Sequence, residues 1–112
     1  MSLLQAHVDY MCLRNDLLGN TEPIVGHLEF ILHFSTFTEP SPQEMLEIIK
    51  PVFLERMGGR ESDWSINYND VNEYGDHSYS FEWQHINNKD RSCPLMRTRT
   101  FRAHSDRIDI KL

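Results

Sequence analysis

Cysteine is scarce in this chain. Only Cys12 and Cys93 occur in 112 residues, far apart and without a CxxC or Cys-His spacing, so neither a structural zinc knuckle nor a disulfide framework is expected. Both read as free thiols, with a single disulfide as the lesser alternative. Long apolar runs are missing too. The richest stretch, Leu28 to Phe37, is broken by Glu29, His33 and Ser35, well short of the ~20 residues that span a bilayer. No basic segment leads into an apolar one at the N-terminus, so a signal peptide is not expected and a cytoplasmic protein is. Positive charge is in deficit: 11 Lys and Arg stand against 17 Asp and Glu, for a net charge of -6. Such a surface repels phosphate backbones, and no nucleic-acid partner is expected. The local exception is Arg91, Arg97, Arg99, Arg102 and Arg107 near the C-terminus. GxSxG, P-loop and GxGxxG patterns are all absent, which removes the usual supports for serine-hydrolase and nucleotide chemistry.

What remains is the composition of one ordinary globular domain spanning 1–112, 39% hydrophobic and 25% charged. Ser2 offers a helix cap, and Leu4, Val8, Met11 and Leu18 fall at helical spacing up to Gly19-Asn20. An N-terminal helix is therefore expected. Leu28, Phe30, Leu32 and Phe34 alternate with Glu29, Ile31, His33 and Ser35, which predicts a strand. Ser41-Pro42-Gln43-Glu44 is a capping box with proline at the first helical position. Met45, Ile48, Ile49, Val52 and Phe53 then make one apolar face as far as Gly58-Gly59. Pro51 cannot donate to the Glu47 carbonyl, so a kink or break is expected there.

Beyond Arg60 the period changes to two. Strands are expected over Trp64 to Asn69, Tyr79 to His85, Leu95 to Ala103, and Ile108 to Leu112, with Ser105-Asp106 as the last tight turn. The fold class is α+β: an N-terminal helix, one strand, a capped helix, then a curved antiparallel four-strand meander packed over the helices. A turn centred on Tyr74-Gly75 pairs Tyr68 with Phe81, Ile66 with Trp83 and Asp70 with Tyr79. It gathers Trp64, Ile66, Tyr68, Tyr79, Phe81, Trp83 and His85 on one face. Asn67, Asn69, Ser80, Glu82 and Gln84 take the other. In the last hairpin Ala103 pairs with Ile108 and Phe101 with Ile110. That puts Arg97 and Arg99 on the apolar side, unless the loop over Asn87 to Asp90 has the other parity and sends Met96, Thr98 and Thr100 inward.

From Ser41 to Leu112, about two-thirds of the chain, the sequence resembles the nuclear-transport-factor-2-like superfamily in its SnoaL-like branch. The resemblance rests on the capped helix after a strand, on Asp70-Val71 … Tyr74-Gly75-Asp76, and on Phe101 … Ser105-Asp106-Arg107-Ile108. It implies a cystatin-like cone with a pocket between concave sheet and helices, and a homodimer formed through the sheet. It also implies cofactor-free cyclase, isomerase or dehydratase activity. In that pocket Asp70 and His85 would move protons, while Tyr68, Tyr79, Trp83, Arg97 and Arg99 would contact a small hydrophobic or aromatic ligand. An internal salt bridge, a core histidine and plain core aromatics explain the same residues without function. A non-catalytic dimerisation or interaction module using the polar sheet face is the competing reading. No metal set is read among the six histidines, since only His27, Glu29 and His33 lie close in sequence.

Overall fold

The alternation of Leu4, Ala6, Val8, Tyr10 and Cys12 with more polar neighbours is that of a strand, and all five side chains are buried. In the computed structural model, which describes residues 2–15, 18–35, 39–71, 75–85 and 105–112, this segment is β1 (Ser2–Asn15). It replaces the expected N-terminal helix. Helical spacing of Leu4, Val8 and Met11 coexists with the period-two pattern, and the cross-strand partner decides between them. That partner is β2 (Thr21–Phe34), which starts well before Leu28. The two form a 14-rung antiparallel hairpin in which Ser2 faces Phe34 and Asn15 faces Thr21.

The capping box forms as the sequence requires. The Glu44 N–H donates to Ser41 Oγ at 3.2 Å and the Ser41 N–H to Glu44 Oε1 at 3.3 Å. Helix α1 (Pro42–Met57) runs through Pro51 as one element and buries Met45, Leu46, Ile49 and Phe53. Gly58 and Gly59 follow, both at positive φ, and the Trp64 indole N–H donates to the Gly58 carbonyl at 3.2 Å. A 3-10 turn (Glu61–Asp63) leads into β3 (Trp64–Val71) and then β4 (His77–Trp83). The last strand, β5 (Ser105–Lys111), contains Ser105 and Asp106, so the tight turn expected there is not formed.

The sheet order is β3-β4-β1-β2-β5. β4 runs parallel to β1 and β5 parallel to β2, so the sheet is mixed and the expected antiparallel four-strand meander is overturned. The order helix, strand, helix, meander that carried the family resemblance is likewise replaced. The expected strand over Leu95 to Ala103 lies outside the described residues. Between β3 and β4 the faces are as expected up to Tyr68, but the register is not, and Asp70, expected opposite Tyr79, pairs with Ser78 and takes the other face. Ile66 pairs with Phe81 and Tyr68 with Tyr79, two residues away from the expected pairing, with a bulge between Tyr68 and Asp70. A slip of two preserves which side chains share a face.

One face of this sheet packs on α1. Leu28, Phe30, Leu32, Phe53, Tyr79 and Phe81 are fully or almost fully buried there, with Trp64 and Trp83 beside them. Gly26, the direct partner of Tyr10, belongs to this face. A Cβ on Gly26 would fall inside the Tyr10 ring, so the aromatic lies flat across the glycine. Gly26→Ala should therefore lose about 1–3 kcal/mol by overpacking. In a Tyr10→Leu background the same change should cost clearly less, as chemical denaturation of the four-member cycle would show. Equal costs in both backgrounds would contradict the contact.

Candidate functional site

Of the residues expected to line a pocket under the sheet, the described ones meet in pairs, Tyr68 with Tyr79 and Trp83 with His85, each pair with ring centroids 5.4 Å apart, while Asp70 stands apart from both. Asp70 is exposed near the end of β3, and its carboxylate accepts from the Val71 N–H at 2.7 Å. His85 lies beyond β4, where Nε2 meets Asp63 Oδ1 at 2.8 Å. Tyr79 is fully buried and donates its hydroxyl to the Pro42 carbonyl at 2.6 Å. Burial pushes that phenol up to about 12, so it remains a donor at physiological pH. Tyr68 is partly exposed and shares a 3.0 Å hydrogen bond with His77 Nδ1. Trp83 packs edge-on to Trp64. Arg97 and Arg99 lie outside the described residues. Phe53 fills the space between sheet and helix where it touches Tyr10, Trp64 and Phe81, and an open cleft of about 750 Å³ lies farther along, lined by Leu46 and Lys50 of α1 and Trp64 and Ile66 of β3.

Asp63 and His85 form a structural clamp. Asp63 is buried at the 3-10 turn, and its carboxylate accepts the Arg60 N–H at 2.8 Å. That hydrogen bond, helped by His85 and the Arg60 charge, holds the acid below its usual range. A depressed folded-state value means the stabilisation is present above the ordinary carboxylate pKa and is lost as pH falls through the lowered one. The melting temperature of the wild type should therefore drop more steeply than that of Asp63→Asn as pH falls below about 4. Parallel acid limbs would contradict this.

The other face of the sheet carries most of the polar side chains of β1 and β2, interspersed with Leu3, Met11, Val25 and Ile31. In the β1–β2 register His7 stands opposite Glu29 and Asp9 opposite His27. These rungs are two residues apart, so their four side chains share the open face and the two imidazoles meet on a diagonal. The rings stack with centroids 5.4 Å apart and planes 24° apart. Asp76, just ahead of β4, joins them because β4 runs beside β1 with Ser78 level with His7.

The hydrogen bonds place a proton on the outer nitrogen of each ring. His27 Nδ1 is 2.7 Å from Asp9 Oδ1, and His7 Nε2 is 3.3 Å from Asp76 Oδ2. A carboxylate only accepts, so each of these ring nitrogens carries the proton. In neutral rings, His7 Nδ1 and His27 Nε2 are then lone pairs. They face each other at 3.4 Å, with Glu29 Oε1 at 4.0 Å from the first and 3.9 Å from the second. These three donor atoms converge on one point, the ring-to-ring contact becoming a hydrogen bond whenever one imidazole is protonated, and two carboxylates brace the imidazoles from behind. All three donor residues are half-buried.

His33 forms a separate latch on this face, with Nε2 at 2.8 Å from Asp109 Oδ1. That contact, then Arg107, holds the Asp109 carboxyl below its usual range. Sequence proximity had singled out His27, Glu29 and His33. The fold keeps the first two together and exchanges His33 for His7, which the expected helix had hidden. The signal was present as His-x-Asp at 7–9 and His-x-Glu at 27–29, two period-two motifs that a hairpin superposes. No family model matches this chain, and no curated protein or solved structure is similar to it.

Proposed function

We propose that the open sheet face binds one divalent transition-metal ion through His7 Nδ1, His27 Nε2 and Glu29 Oε1. A triangle with sides of 3.4, 4.0 and 3.9 Å has its centre about 2.2 Å from each corner. Zinc takes ~2.0–2.2 Å to imidazole nitrogen and carboxylate oxygen, so the donors need little movement. The observation that carries the reading is the convergence of these three donor atoms, with Asp9 and Asp76 on the outer ring nitrogens. In neutral rings the inner nitrogens and Glu29 Oε1 then offer their lone pairs to one point, which a cation can occupy.

Two imidazoles and a carboxylate suit Zn²⁺, Fe²⁺ and their neighbours better than Mg²⁺ or Ca²⁺, which favour oxygen ligands. Three protein donors leave the ion a further position for water or another ligand, as in catalytic rather than purely structural sites. Titration calorimetry of the protein with Zn²⁺ tests this. One equivalent should bind with micromolar or tighter affinity, undisturbed by millimolar Mg²⁺. No saturable binding, or binding unaltered in His7→Ala, would contradict it.

A further inference from the structure

A cleft of about 340 Å³ opens on the same face, beside the proposed ion. His27 belongs both to the donor set and to the cleft wall. Met11 and Val25 stand beside it, with Val25 57% exposed, and the lining continues to Asp9, Ser80 and Glu82. The volume falls within the range of small-molecule sites. Resting on the metal reading, we propose that this cleft holds the aromatic ring or short apolar arm of a small molecule whose polar head ligates the ion. We propose further that the arm's far end is neutral or an amine.

Three features of the cleft select that ligand. Its accessible apolar side chains are Met11 and Val25, so the arm gains by leaving water. Among the described residues its charged lining is the acids Asp9 and Glu82, without a lysine or arginine, so a second negative charge is disfavoured and an ammonium favoured. Its contact with the ion runs through His27, whereas the larger cleft on the other side, about 630 Å³, reaches only Asp76 and includes Arg107. This proposed ligand lies on the face opposite the one where a small-molecule partner was expected from the sequence.

Hydroxamates provide the test, because the head group is constant and the arm can be varied. The protein is loaded with Co²⁺, and binding is followed by the change in the visible ligand-field bands. Benzohydroxamate should bind roughly tenfold tighter than acetohydroxamate. The 4-aminomethyl derivative should bind at least as tightly, and the 4-carboxy derivative clearly more weakly. In Glu82→Gln the advantage of the amine over the carboxylate should shrink. If cobalt binds and all four hydroxamates bind alike, the cleft assignment is overturned while the metal site stands. If cobalt does not bind, both fall together.

Discussion

Replacing Phe53 by alanine should cost about 3–5 kcal/mol and lower the melting temperature by more than ~10 °C. The ring is fully buried on α1, 4.1 Å from Phe81, 5.0 Å from Trp64 and 5.8 Å from Tyr10, centroid to centroid. It joins the helix to β1, β3 and β4 at once, so no single neighbour can collapse into the space it leaves. The tilted and edge-on geometries add to the area term, since ring edges meet ring faces in the favourable sense. Val25→Ser on the open face is the control and should change stability little, because Val25 is already more than half exposed. Equilibrium denaturation measures both. A loss below ~1 kcal/mol for Phe53→Ala would mean that α1 does not seat on this face.

The second large effect concerns affinity. His27→Ala removes one of three donors and should weaken Zn²⁺ binding by more than ~100-fold. Asp9→Asn leaves the donors in place, removes the carboxylate that orients His27, and should weaken it by roughly 10–100-fold. Neither should unfold the protein, since both side chains are on the open face. Metal binding should also raise the wild-type melting temperature, because an ion present at 100 times its dissociation constant adds about 2.7 kcal/mol to a state that alone offers the site. That rise should vanish in His27→Ala and be reduced in Asp9→Asn. Thermal melts with and without zinc separate the two variants. Equal affinity for Asp9→Asn and the wild type would mean that the Asp9 contact does not hold the tautomer.

Local chemistry was legible in the sequence and long-range pairing was not. The capping box at Ser41 to Glu44 specified α1 to within a residue at its start, and Gly58-Gly59 specified its end. The faces of β3 and β4 followed from alternation, so Trp64, Tyr79, Phe81 and Trp83 were placed on the buried side. Their register was not, because the bulge between Tyr68 and Asp70 reverses the phase only for Asp70 and Val71, too short a stretch to read from alternation. The first 15 residues satisfied helical and strand periods together, and β2 was the deciding neighbour. The parallel pairings of β4 with β1 and β5 with β2 join segments about 70 to 80 residues apart, and no local signal reports them. The candidate site shared that fate. Asp70 and His85 were chosen for a concave face that α1 fills. His7 with His27, Asp9 with His27 and Asp76 with His7 meet only through pairings that the sequence does not announce.

The most direct measurement is anomalous X-ray scattering at the zinc absorption edge from crystals grown with one equivalent of Zn²⁺. The proposed function predicts one strong peak on the open face, within about 2.0–2.3 Å of His7 Nδ1, His27 Nε2 and Glu29 Oε1. A site formed by other residues, or no ordered peak while His7 and His27 keep their present positions, would contradict it.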